Sequence, residues 1–313
     1  MDVELADLKA VVVLAETLHF GRAADRLHVS QPALSKRIRK LEGRIGGPLL
    51  VRRYRDVRLT EAGRLLADRG RQILLESDAT VALSQRAARG EAGRLRIGFG
   101  IASILGLLPD VLLRFRRSHP GVQLQLRDMS TPDQIEALAA GEVDIGFVRL
   151  PVAEDRLVVR PVLDERLVLA IGPRSPWNAR IGLRSVSAEP FIIIARARSA
   201  SFYDHALSVC AATGFAPRIV QEANELFTVL SLVGAGLGVS LVPRSAALMH
   251  LPGVRFRELT LPEAAWDIAV AWHRDARSVP LVQHFVGMVC GARPASVKRQ
   301  LPGGPRARGA ATR

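Results

Sequence analysis

The chain has 313 residues, long for a single domain and more consistent with two. Hydrophobic residues at 48% and charged residues at 24% describe ordinary globular material and exclude a disordered or fibrous chain. The unusual quantity is a formal net charge of +14, carried almost wholly by arginine, which points to a polyanionic partner only if it is concentrated in particular segments.

The N-terminus opens on acids (Asp2, Glu4, Asp7), so the pattern of a secretory signal is not expected and a cytoplasmic setting is. Leu5, Leu8, Val12 and Ala15 recur at helical spacing between Glu4 and Thr17. A second helix follows His19, with Ala23 and Ala24 small enough to let a neighbour approach. After the short turn at His28 and Val29, Ser30 is placed to cap a third helix, and Pro32 falls in its first turn, where a missing N–H costs nothing. Leu34, Ile38, Leu41 and Ile45 form one stripe to bury, while Gln31, Ser35, Lys36 and Arg39 turn outward. This is a helix-turn-helix, whose second helix carries donors and acceptors suited to base edges. Leu50 to Leu59 then reads as a two-stranded wing turning near Tyr54 and Arg55. Residues 28–58 hold nine cations against Glu42 and Asp56, a net of +7. The expected contacts to double-stranded DNA are Ser30, Gln31, Pro32, Ser35, Lys36, Arg37, Arg39, Arg53 and Arg55, within and beyond a motif running from Phe20 to Arg39.

The stretch HFGRAADRLHVSQPALSKRIRKLEGRIG followed by VRLTEAG resembles the DNA-binding domain of LysR-type transcriptional regulators. His19 stands where many members have Ser, and Leu50 where many have Phe. The His19–Phe20–GRAA segment is similar to the subgroup controlling catechol, chlorocatechol and benzoate degradation. The resemblance implies an N-terminal all-α winged helix-turn-helix and a long linker helix. An α/β two-lobed effector domain, similar to periplasmic binding proteins, would follow. It further implies a homodimer or homotetramer on promoter DNA, contact with RNA polymerase, and activation of a catabolic operon by a small carboxylate.

From Thr60, placed as an N-cap, the pattern stays helical to about Arg89. Leu59, Leu66, Ile73, Thr80 and Ala87 recur every seven residues, with Gly63, Gly70, Ser77 and Ser84 four places after the first four. A seam of one larger and one small residue suits close contact with a second copy of the helix.

Beyond Arg94 strands and helices alternate. Strands are expected at Leu95 to Gly98, Val122 to Arg127 and Asp144 to Val148, separated by helices Ile104 to His119 and Thr131 to Ala140. A second series contains strands Leu167 to Ile171, Phe191 to Ile194, Arg218 to Glu222 and Val239 to Val242, with helices Phe202 to Ala212 and Leu226 to Ala235. Strand Trp266 to Trp272 and helix Val279 to Cys290 return to the first lobe. The pattern gives a largely parallel α/β sheet in two lobes with a ligand cleft between them. The domains are then 1–60 (DNA-binding), 61–90 (linker and dimerisation), 91–292 (effector-binding) and 293–313 (a disordered basic tail). Within the effector domain, lobe I takes 94–163 and 268–291, and lobe II takes 164–267. Ser103, Thr131 and the Ser199–Ser201–Phe202 run fall at three helix starts, where free N–H groups favour an anion, and Arg149 follows the third strand. The resemblance carries the acid-effector role onto Ser103, Thr131, Arg149 and Phe202, with Ser201 beside them.

Other functions fit less well. Gly98, Gly100 and Ser103 nearly spell a dinucleotide fingerprint, with Asp128 further on, but the third glycine is missing. The seven histidines form no HExxH and no GxSxG occurs, so no catalytic residue, cofactor or metal is expected. A thiol redox sensor would need paired cysteines, whereas Cys210 sits in an apolar helix far from Cys290. A DNA-packaging protein would need no cleft. The uncharged run Leu226 to Pro243 is broken by glycines and a proline, and reads as helix, turn and strand rather than a membrane span.

Overall fold

The computed structural model of the chain describes residues 3–53, 56–173, 175 and 182–292, without the side chains of residues 52, 53, 56, 277 and 278. It forms two compact units, Met1–Ala87 and Ala88–Arg313. The expected wing turn at Tyr54 and Arg55, the side chain of Arg53 and the basic tail lie outside the described residues.

The first unit contains α1 (Leu5–Thr17), α2 (Phe20–Arg26), α3 (Gln31–Ile45), the wing strands β1 (Leu50–Arg53) and β2 (Asp56–Leu59), and α4 (Glu61–Ala88), which runs into the second. The wing strands pair antiparallel, Leu50 opposite Leu59 and Arg53 opposite Asp56. Leu34, Ile38 and Leu41 of α3 bury against a core that includes Leu14, Ala23 and Ala24. Ile45 does not complete the stripe and is 39% exposed. It occupies the last turn of α3, beside a left-handed Gly46 (φ 82°) that turns the chain away toward the wing. Glu42 ties the wing to α3, its Oε1 accepting the N–H groups of Leu49 and Leu50 at 2.9 and 3.3 Å.

Two small residues of the α4 heptad seam, Gly63 and Gly70, face other parts of their own unit. A Cβ on Gly63 would stand 2.1 Å from the Leu49 carbonyl oxygen, and one on Gly70 would stand 3.5 Å from Leu8 and Val12 of α1. These glycines therefore let α4 lie close against the rest of its own DNA-binding unit. The obstacle at Gly63 is backbone, which cannot rotate aside. Gly63→Ala is expected to lower the stability of this unit by about 1–3 kcal/mol, readable as an earlier thermal transition with weaker DNA binding. An unchanged transition would show that α4 can shift freely.

The second unit begins with β3 (Ala92–Phe99), then α5 (Ile101–Gly106), α6 (Leu108–Ser118), β4 (Gly121–Asp128), α7 (Thr131–Ala139), β5 (Ile145–Arg149) and β6 (Leu157–Ile171). It continues through β7 (Pro190–Ile194), α8 (Ala200–Ala212), β8 (Arg218–Ala223), α9 (Leu226–Gly234), β9 (Ser240–Pro243), β10 (Arg255–Glu258), β11 (Ala265–His273) and α10 (Pro280–Cys290). The helix expected as one piece from Ile104 starts earlier and breaks at Leu107, because Pro109 lacks the N–H that a continuous helix needs.

The sheet is mixed rather than largely parallel. β3 pairs parallel with β4 and β5, and β7 with β8, but β11 lies antiparallel between β5 and β6, and β6 carries β9 and β10 antiparallel at its far end. β6 and β11 are the two strands that cross between the lobes. β6 begins ten residues before the expected Leu167. Pro161 obscures it in the sequence, and the fold accommodates the proline at a register shift opposite Ile268/Ala269. Leu226 to Pro243 is helix, turn and strand, and among the described residues no helix is long and apolar enough to cross a membrane.

Candidate functional site

Two surfaces carry the chemistry the sequence pointed to, one in each unit. On α3, Ser30 Oγ accepts the Ala33 N–H at 3.4 Å and so works as a helix cap. Gln31, Pro32, Lys36, Arg37 and Arg39 are exposed and Ser35 is half-buried, so one face of the helix is open for its length. His19 caps α2 in the same manner, with Nδ1 accepting the Arg22 N–H at 3.2 Å. That is the work a serine would do there, and it accounts for the departure from the family pattern. The buried Asp7 of α1 fastens α3 from behind: Arg44 Nη1 donates to it at 3.1 Å and Arg37 Nε stands 3.7 Å away. Asp7 is a positioning group that spacing alone does not reveal, because its partners lie thirty and thirty-seven residues on.

In the second unit, Ser103, Thr131, Arg149, Ser201 and Phe202 all line one small, solvent-open cavity of about 90 Å³ between the lobes. The three helix starts do converge there, but their hydroxyls differ in use. Ser103 is buried and its hydroxyl donates to the Gly100 carbonyl at 2.7 Å. The cap of α7 is Ser130, not Thr131, since Ser130 Oγ accepts the Asp133 N–H at 3.4 Å. Thr131 Oγ1 instead accepts the Arg149 N–H at 3.0 Å, which leaves its own hydrogen for a ligand. Ser199 precedes α8 without using its side chain as a cap.

Arg149 dominates the electrostatics. Its Nη1 donates to the Ser201 carbonyl at 3.0 Å, so it spans the lobes, and its guanidinium lies 4.6 Å above the Trp266 ring. No carboxylate pairs with it among the described residues, and burial pulls its pKa down to about 10. It remains charged at neutral pH. Near the mouth, Arg198 Nη2 meets Asp128 Oδ2 at 2.9 Å, a second contact between the lobes.

Three contributors escaped the sequence reading. Trp266 and Phe202 meet edge to face at 6.3 Å and make the apolar wall. Gln134 is buried, with Oε1 accepting the Phe147 N–H at 2.7 Å and Nε2 donating to the Met129 carbonyl at 3.0 Å. A Cβ on Gly98 or Gly146 would press on Gln134 at 3.1 Å, so these glycines keep room for the brace rather than for a nucleotide phosphate. His205 packs against Trp266 at 5.2 Å, and its buried Nε2 has no partner among the described residues. Burial first, and the charge of Arg149 second, push its pKa down to about 4 from an ordinary 6.5. The unfolded chain accepts a proton on this ring below about pH 6.5 that the folded chain refuses until about pH 4. Stability is therefore expected to fall as pH drops through that window. His205→Gln should flatten the dependence of the urea midpoint on pH, and an unaltered slope would refute the assignment. Cys210 is buried, with its thiol pushed up to about 12, which makes it a poor redox sensor.

Comparisons with known proteins match both halves of the chain. The family model for bacterial regulatory helix-turn-helix proteins of the lysR family matches residues 5–64, and that for the LysR substrate binding domain matches residues 88–291. The chain is 35% identical over 285 residues to the HTH-type transcriptional regulator AlsR of Bacillus subtilis, covering 90% of this chain and 94% of that one. It is also 35% identical over 291 residues to the HTH-type transcriptional regulator CatR of Pseudomonas putida, covering 91% and 98%. The crystal structure of full-length CbnR complexed with its target DNA superposes with a TM-score of 0.76 at 28% identity, covering 92% of this chain and 98% of that one. With both halves matched, the chain belongs to the LysR family and is a LysR-type DNA-binding transcriptional regulator.

Proposed function

We propose that this regulator activates a catabolic operon of the aromatic or catechol-degrading type when a small carboxylate binds between its effector lobes. The observation that carries the reading is Arg149, a half-buried guanidinium without an acidic partner among the described residues, facing a cavity ringed by three helix starts. A buried charge is costly unless paired, and a carboxylate completes it with charge-assisted hydrogen bonds. Trp266 and Phe202 supply an apolar wall for the rest of the acid. Closing the lobes on the ligand couples effector and DNA affinity by about 1–3 kcal/mol.

The DNA-reading residues are Gln31, Ser35 and Arg39 toward the bases, with Ser30, Pro32, Lys36, Arg37, Arg53 and Arg55 at or near phosphates. The protein acts as a homodimer or homotetramer joined through α4, in the cytoplasm, with RNA polymerase as partner. Leu75, Val81 and Leu83, between 54% and 65% exposed on α4, support pairing through its second half. Gln31→Ala is expected to weaken a cognate operator by about 1–3 kcal/mol while leaving random DNA unchanged. Footprinting on the promoter upstream of its own gene, with and without aromatic and dicarboxylic acids, tests the whole reading; equal losses on cognate and random DNA would sink the base-reading role.

A further inference from the structure

The end of α6 and the middle of α10 hold two histidines that neither DNA reading nor the effector cleft uses. Ser118 Oγ lies 3.1 Å from the Phe115 carbonyl oxygen and 3.2 Å from that of Arg114. A hydroxyl has one hydrogen, and those carbonyls take it. The 2.8 Å contact between Ser118 Oγ and His119 Nδ1 is therefore an Nδ1–H donating to the oxygen. A neutral His119 ring then carries its lone pair on Nε2, which accepts a hydrogen bond from His284 Nδ1 at 3.2 Å and is free for a metal once His284 carries its proton on Nε2. The ring is held in place by stacking on the fully buried Phe115, centroids 4.3 Å apart and 5° from parallel. Phe285 of α10 in turn meets Phe115 edge to face at 5.0 Å.

This arrangement has the features of a chelate. A histidine whose second ring N–H is committed to an oxygen is the usual form of a metal-ligating imidazole, with tautomer and orientation set in advance. Two nitrogens each about 2.0–2.1 Å from one ion, at a tetrahedral angle, are about 3.4 Å apart, close to the separation found here. His284 is exposed, so its ring can turn to carry its proton on the outer nitrogen.

We propose that His119 and His284 form a two-histidine site for a divalent transition-metal ion of the zinc, nickel or copper type. Imidazole nitrogen selects these ions over magnesium and calcium. Among the described residues no cluster of three or more His, Cys, Asp or Glu forms here, so water fills the remaining coordination positions. The ion would clamp α6 to α10 directly. The start of α10 packs where the chain enters the second unit, since a Cβ on Gly90 would lie 2.8 Å from the Leu281 nitrogen. A metal at this site therefore stiffens the base of the effector unit.

The test uses the untagged full-length protein carrying Cys290→Ser, to keep the exposed thiol out of the competition, titrated with Ni²⁺ by calorimetry. One Ni²⁺ per chain is expected, with a rise in the melting temperature of the second unit. His284→Ala in the same background is expected to weaken binding about tenfold or more and to remove the melting rise, while melting normally in metal-free buffer because the residue is exposed. A chain that binds no Ni²⁺ stoichiometrically, or that binds it equally well with and without His284, overturns the proposal.

Discussion

Arg149→Met is expected to remove the proposed response of the effector unit to small carboxylates and to leave the unliganded fold at least as stable as before. The substitution keeps an apolar side chain over Trp266 and deletes only the charge and its hydrogen bond to the Ser201 carbonyl. Truncating one partner of a desolvated charge pair costs about 2–5 kcal/mol, which is roughly thirtyfold to several thousandfold in affinity. Without ligand the balance runs the other way. Burial already lowers the Arg149 pKa, so the folded state bears a penalty for the unpaired cation, and methionine relieves it. A thermal-shift panel of muconate-like and benzoate-like acids measures both effects. The wild type is expected to rise with at least one acid and the variant with none. A variant that keeps the shift shows that the anion binds elsewhere. A variant that melts far below the wild type shows that Arg149 is structural.

Gln134→Ala is the second large effect, and it falls on stability first. The substitution strands the Phe147 N–H and the Met129 carbonyl in a buried place and opens a void beneath Gly98 and Gly146. Each stranded group costs about 1–3 kcal/mol, so the second unit is expected to lose about 3–5 kcal/mol, seen as an earlier urea transition for that unit alone. Gln134 joins α7 to β5 and to the loop that presents Thr131, so effector affinity should fall with stability. A loss below about 1 kcal/mol would mean that water or a neighbouring group satisfies the two backbone atoms.

The first sixty residues were largely legible. Their helices are short and local, and caps such as Ser30 act within one turn. The expected ends of α1, α2 and α3 needed little change, because periodicity, a capping side chain and a helix-ending glycine all act over a few residues. The exception is Ile45, whose spacing matches Leu34, Ile38 and Leu41 but whose surroundings do not. Periodicity reports which face a residue shares, and only the neighbouring elements decide how far along the helix that face is covered.

The cleft residues were legible one at a time and not as a site. Helix starts and strand ends announced Ser103, Thr131, Arg149 and Ser201, yet their chemistry depends on contacts distant in sequence. Thr131 serves the Arg149 N–H, Ser103 serves Gly100, and Arg149 rests on Trp266, more than a hundred residues on. Sequence by itself determined the reader helix, the linker, the two α/β series and the placing of excess charge, since composition and local backbone preference suffice for these. Tertiary structure alone decided that Gly63 and Gly70 serve α4's own unit, that Pro161 sits inside a crossing strand, that Gln134 braces the cleft, and that Arg149 is left without an acidic partner among the described residues. Each of those facts is a matter of which atoms approach within a few ångströms across long loops, and steric exclusion and desolvation act only once that approach has been made.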